Sequence, residues 1–165
     1  MAEADYDTEK ELRKWLEGAG RIVIAGIGNP IRSDDFVGVK IVQDLKERVP
    51  DRVMLIECET VPEAYLQQIT EFAPTHVLLV DAAILALKPG ESRLIEPARL
   101  TDFPAFSTHM LPLRLFCECV NVNTKAKISL LLVQPGNTDF GEEMTDDVKV
   151  VAQEITAILQ SVFSE

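Results

Sequence analysis

Histidine, cysteine and positive charge are all scarce in this chain. It has 2 histidines, 3 cysteines and 16 lysines and arginines against 27 aspartates and glutamates, for a formal net charge of −11. A phosphate backbone or an anionic membrane demands a basic face, so this balance excludes nucleic acid and argues against docking on lipid. Long hydrophobic runs are missing too. No stretch approaches the roughly 20 apolar residues of a spanning helix, and the charged opening MAEADYDTEKELRKW has no apolar signal core. The odd set Cys58, Cys117 and Cys119 reads as reduced thiols of a cytoplasmic protein. Cys117-x-Cys119 lacks the second pair of a zinc site and falls in a helical pattern. Repeats, linkers and low-complexity segments are absent. So are the His-Glu-x-x-His helix of zinc peptidases and the Gly-x-Ser-x-Gly elbow of serine hydrolases.

What is present is a core. With 165 residues and 47% hydrophobic content the chain is expected to be one folded domain. Thr8 with Glu11 suggests a capping box for a first helix faced by Leu12, Trp15 and Leu16. Residues 22–25 form an all-apolar strand. A helix follows from Asp35, with Val37, Ile41, Val42 and Leu45 inward and Pro50 ending it. Further strands are expected over 52–57, 76–80, 92–95 and 127–133. Further helices are expected over 62–72 and 110–120, with a last one capped by Thr145. Alternating strands and helices predict a three-layer αβα sandwich with a mainly parallel, twisted sheet of about five strands. The 92–95 strand follows the third closely and is the candidate for an antiparallel edge. Residues 1–20 read as a helical extension, and 21–165 as a single α/β domain.

Parallel strands share a carboxyl edge, where α/β proteins place their chemistry. The first strand runs into Gly26-Ile27-Gly28-Asn29-Pro30 and then Asp34-Asp35; the second ends at Glu57, the third at Asp81. Gathered carboxylates repel unless a cation or proton neutralises them. Their convergence therefore predicts a metal site. His109, in Ser107-Thr108-His109-Met110, lies on a connection that can reach the same edge, whereas His76 begins a strand at the opposite one. Two carboxylates and an imidazole suit nickel, zinc or manganese. Each residue also has a structural reading: Asp34 as a helix N-cap, Asp35 as a first-turn acid, Asp81 as the cap of a following turn, His109 as an ordinary helix start. A nucleotide site is disfavoured, because the third glycine of Gly-x-Gly-x-x-Gly is missing and two aspartates stand where a phosphate would go.

In this order, the glycine loop with Asp34-Asp35, Leu79-Val80-Asp81-Ala82, Thr108-His109-Met110-Leu111-Pro112-Leu113 and Val133-Gln134-Pro135 resemble the hydrogenase maturation proteases, most closely the formate-hydrogenlyase (hydrogenase 3) branch. The resemblance implies an endopeptidase that removes a C-terminal extension from the large-subunit precursor of a nickel–iron hydrogenase after nickel insertion. It implies that Asp35, Asp81 and His109 bind the metal, which is the substrate's own nickel, other divalent cations being able to substitute. Asp35 and Asp81 would be catalytic. Gly28, Asn29, Asp34, Glu57 and Thr108 would bind substrate or support the site. A non-catalytic, metal-sensing binder of the precursor is the alternative. The chain departs from the family pattern at Glu57-Cys58-Glu59-Thr60, where Asp-Gly-Gly-Thr is usual, and at Phe36, where glycine is common.

Overall fold

The computed structural model describes residues 6–103 and 110–165. Its centre is a five-stranded sheet, built from β1 (Ile22–Ile27), β2 (Val53–Glu59), β3 (His76–Ala82), β4 (Ser92–Ile95) and β5 (Lys127–Val133), in the order β2-β1-β3-β5-β4. All neighbours are parallel except β4, which runs antiparallel to β5. The sandwich and its antiparallel edge are as the sequence predicts. β1 is buried along its whole length, which is why it shows no polar alternation.

Side chains alternate between the sheet's two faces. Ile22 and Ile24 of β1, Leu78 and Val80 of β3, and Leu131 and Val133 of β5 pack beneath α2 (Val37–Leu45) and α5 (Asp146–Phe163). Val23, Ala25, Val77, Leu79, Leu130 and Leu132 pack on the other side, beneath α3 (Leu66–Phe72) and α4 (Leu111–Thr124). The N-terminal helix α1 (Thr8–Trp15) joins the α2/α5 layer: Leu12 and Leu16 are buried there, and Arg13 bonds Ser161 in the last turn of α5 and Glu165 just beyond it. Among the described residues, no helix is long and apolar enough to cross a membrane.

Several local details differ from the expectations. The helix expected from Asp35 to Pro50 is a 3-10 turn, Ser33–Phe36, followed by α2, which stops at Leu45, where Lys46 leaves the helical conformation. Asp7, not Thr8, caps α1 by accepting the Lys10 N–H at 3.2 Å; the Thr8 hydroxyl is 2.8 Å from that of Ser92 and so serves a tertiary tie. The expected helix over 62–72 divides into a 3-10 turn, Pro62–Tyr65, and α3. Thr145 holds the N-cap position of α5, but its hydroxyl donates to Asp34 rather than to its own helix.

One contact sets where α2 begins. A Cβ on Gly38 would lie 2.0 Å from the carbonyl oxygen of Val80 and 2.5 Å from that of Ile27; one on Gly26 would lie 2.4 Å from the Gly38 carbonyl. The first turn of α2 therefore rests backbone to backbone on the carboxyl ends of β1 and β3. Gly38→Ala is expected to cost about 3 kcal/mol, since backbone has no rotamer with which to give way. Chemical denaturation at constant m-value checks this, and an unchanged midpoint would mean the contact is slack.

Candidate active site

The loop after β1 is shaped by what cannot fit. Gly28 has φ +156°, and a Cβ there would fall 2.1 Å from the carbonyl oxygen of Asp35. Its N–H donates to the Glu59 carbonyl at 2.7 Å, tying the loop to the end of β2. Asn29 then folds the chain: its Oδ1 accepts the Ile31 N–H at 3.1 Å and its carbonyl the Arg32 N–H at 3.1 Å. The Asn29 N–H donates to Asp35 Oδ2 at 2.9 Å. Gly28 and Asn29 thus hold Asp35 in place through backbone geometry.

The neighbouring acids Asp34 and Asp35 do different work. Both lie in the 3-10 turn Ser33–Phe36 that precedes α2. Asp34 is fully buried, and its carboxylate accepts four hydrogen bonds: from the N–H groups of Gly136, Asn137 and Thr145, at 2.8, 2.9 and 2.7 Å, and from the Thr145 hydroxyl at 2.8 Å. It is no N-cap of its own helix. It fastens loop 134–145 beneath the site, helped by Ser33, whose N–H reaches the Gly141 carbonyl at 2.9 Å and whose hydroxyl reaches that of Asp139 at 2.9 Å.

Asp81 ends the apolar run of β3 on the α3/α4 side of the sheet. Its Oδ1 accepts the Ala82 N–H at 2.8 Å. Burial, and next the charge of Asp35, push its carboxyl well above the usual aspartate range, against the pull of that hydrogen bond. Asp35 and Asp81 line one cavity of about 240 Å³, together with Gly28, Thr60, Glu63 and Met110. Each aspartate keeps one oxygen that accepts no hydrogen bond from a described residue. Two such oxygens, mutually repelling and partly withdrawn from water, fit a divalent cation. Among the described residues no group of three histidine, cysteine or acidic side chains is placed to hold a metal. His109 and Thr108 lie outside the described residues; Met110, where the description resumes, lines the cleft.

Other sequence candidates stand elsewhere. Glu57 does not converge with the aspartates. It faces α2, bonded to Lys46 Nζ and, at 2.7 Å, to Gln43 Nε2, and Lys46 holds its carboxyl below the usual range. Strand parity is the reason: Val53, Leu55 and Glu57 share one face, and Cys58 takes the other. Cys58 is buried, and burial followed by the Glu63 charge raises its thiol to about 12, so it supplies no thiolate. Cys117 is likewise buried and raised to about 12, whereas Cys119 is exposed. His76 is buried at the amino edge, edge-on to Trp15 at 5.0 Å, and burial lowers its pKa. Sequence reasoning missed Thr60, Glu63, Met110, Pro112 and Leu113. Counting faces along β2 could have pointed to Thr60, since the strand's α3/α4 face leads to Cys58 and on to it.

A parallel α/β sheet carrying a paired-aspartate cleft at its carboxyl edge defines a class of site. The comparisons with known proteins give it a family. A model of the hydrogenase maturation protease family matches residues 39–162. The structure of the nickel–iron hydrogenase maturation protease HycI from Thermococcus kodakarensis superposes with a TM-score of 0.87 at 34% identity, over 94% of this chain and 99% of that one. The solution structure of the endopeptidase HycI from Escherichia coli gives 0.77 at 26% identity, over 86% and 90%. The hydrogenase 3 maturation protease of E. coli K12 is 28% identical over 127 residues, 77% of this chain and 81% of its own length. The chain belongs to the hydrogenase maturation protease family.

The raised carboxyl of Asp81 has a signed consequence for stability. The folded state retains a proton that the unfolded chain, titrating near 3.9, releases. Stability is therefore lost as pH rises from about 4 through the folded pKa. Asp81→Asn keeps the acceptor for the Ala82 N–H and removes the charge. Its melting temperature should match the parent near pH 4 and exceed it increasingly towards neutrality. A gap that stays constant with pH would show that Asp81 ionises without penalty.

Proposed function

We propose that this chain is an endopeptidase that removes the C-terminal extension of a nickel–iron hydrogenase large-subunit precursor after nickel insertion. In this reading Asp35, Asp81 and His109 grip the nickel carried by the substrate, and a nickel-free precursor is refused. One observation carries it: Asp35 and Asp81, far apart in the chain, line a single small cleft in which the charge of one opposes ionisation of the other. A cation entering with the substrate would relieve that opposition, so recognition and charge neutralisation are the same event.

The residues divide the work as follows. Asp35, aimed by the Asn29 N–H, presents its second oxygen to the substrate's ion. Asp81, whose second oxygen accepts no hydrogen bond from a described residue, would take a proton from the attacking water once the ion holds it ionised, and return one to the leaving amine. Substrate nickel would supply polarisation of the scissile carbonyl. Gly28 keeps the floor of the cleft free of side chain, and Asp34, buried in loop 134–145, fixes the turn from which Asp35 projects.

The test is to incubate the purified protein with nickel-loaded and nickel-free precursor and read the large-subunit mass. Loss of the extension is expected only with nickel. Asp35→Asn, Asp81→Asn and His109→Ala should each reduce processing about 100- to 1,000-fold, the range for removing one group that acts on the reacting atoms, with circular dichroism unchanged. Intact mass in a stable nickel-dependent complex would make the protein a non-catalytic binder. Full processing by Asp81→Asn would remove the site altogether.

A further inference from the structure

At about 240 Å³ the cleft is smaller than the roughly 300–1,000 Å³ of pockets that enclose a drug-sized ligand. It can grip only a short stretch of polypeptide. A specific protein complex buries on the order of 1,600 Å², so most of the contact must lie outside it. Both walls of the cleft continue into exposed apolar surface. On one wall Val61, 46% exposed, stands between Thr60 and Pro62, which line the cleft. On the other, Leu111, 44% exposed, stands between Met110 and Pro112, which also line it. Leu115, 51% exposed, follows one turn along α4, and Val122, 69% exposed, two turns further.

These side chains are aligned rather than scattered. At about 100° per residue, Leu111, Leu115 and Val122 fall within about 40° of one another on the α4 surface. The opposite face of the helix carries Leu113, Phe116, Cys117 and Val120, all buried. Glu118 shares that bearing and pairs with Arg114, so it separates Val122 from the two leucines. Leu111 and Leu115 span about 6 Å at 1.5 Å per residue, a length that about two residues of extended chain would cover. Isolated exposed apolar residues are ordinary, but a leucine pair that begins at a functional cleft and faces Val61 across it marks a contact surface.

We propose that this stripe of Leu111 and Leu115 on α4, with Val61 across the cleft, docks the segment of the large-subunit precursor that adjoins the scissile bond, held extended with apolar side chains against the two leucines. The inference rests on the cleft being the cleavage site. Two features select the precursor over a second copy of this chain. The stripe starts where the scissile bond would lie, and a second copy would bring a further net charge of −11 to a rim that already holds Asp35, Glu63 and Asp81.

The experiment uses the full chain, nickel-loaded precursor and three variants: Leu111→Ser/Leu115→Ser, the single Leu115→Lys, and Val150→Ser as control. Val150 is 53% exposed on α5, in the layer across the sheet. Processing gives KM and kcat, and titration gives Kd. The two stripe variants should raise KM and Kd about tenfold or more, the range of a truncated interface anchor, with kcat within twofold and melting unchanged; the control should match the parent. Unchanged KM and Kd in both folded stripe variants overturns the proposal. So does a parent dimer, seen by sedimentation, that the stripe variants dissolve. A parent that binds but does not cut would defeat the cleavage reading, while the Kd comparison would still decide the docking surface.

Discussion

The close approach of the α2 backbone to the sheet is the constraint on which the site depends. Gly38 sits against the carbonyls of Val80 and Ile27 with no space for a methyl group, and Gly26 returns the contact from below. Because the helix cannot be lifted, the 3-10 turn ahead of it is delivered to the end of β3, and Asp35 enters the cleft beside Asp81. Gly28 acts in the same way one turn of chain earlier, bringing its backbone up to that of Asp35. Three glycines thus do by exclusion what no hydrogen bond could do alone: they bring two like charges into one recess and keep them there.

That arrangement carries an electrostatic cost, and the surrounding structure shows how it is borne. Asp34 is satisfied outright by four donors and is structural. Asp35 and Asp81 each receive a single backbone N–H from the described residues, which orients an oxygen without neutralising the pair. The contrast between adjacent residues in the same turn separates an acid used to build from an acid left under-satisfied. Under-satisfied groups in a rigid surround are where strain is kept for function.

Much of the fold was legible because it is local. β4 and β5 have the boundaries their apolar pattern predicts, Ser92–Ile95 and Lys127–Val133, and the layered, mainly parallel sheet follows from an alternation of elements broken only between β3 and β4. The acid pair at the start of α2 was legible as well. The partners of Asp34 were not, because Gly136, Asn137 and Thr145 lie about a hundred positions downstream. Thr145 stands at the N-cap of α5 as expected, but its hydroxyl is claimed by Asp34, a partner that no local pattern reveals. Glu57 was a different failure. Val53-Met54-Leu55-Ile56 is apolar without a break, but any strand alternates by geometry, and counting faces from Val53 would have turned Glu57 towards Lys46 and α2. Thr8 and Glu11 fit a capping box by spacing, yet Ser92 on the edge strand competes successfully for the threonine hydroxyl.

The unequal burial of the three thiols has a practical corollary. Cys58 and Cys117 are sealed in the core and raised to about 12, so near neutral pH they are almost wholly protonated and out of reach of alkylating reagents. Cys119 alone is open to solvent, and it stands on the same helix as Leu115 and Val122. A maleimide dye would therefore attach at one position of the unaltered polypeptide, next to the apolar stripe, and its emission would report directly on whatever settles there.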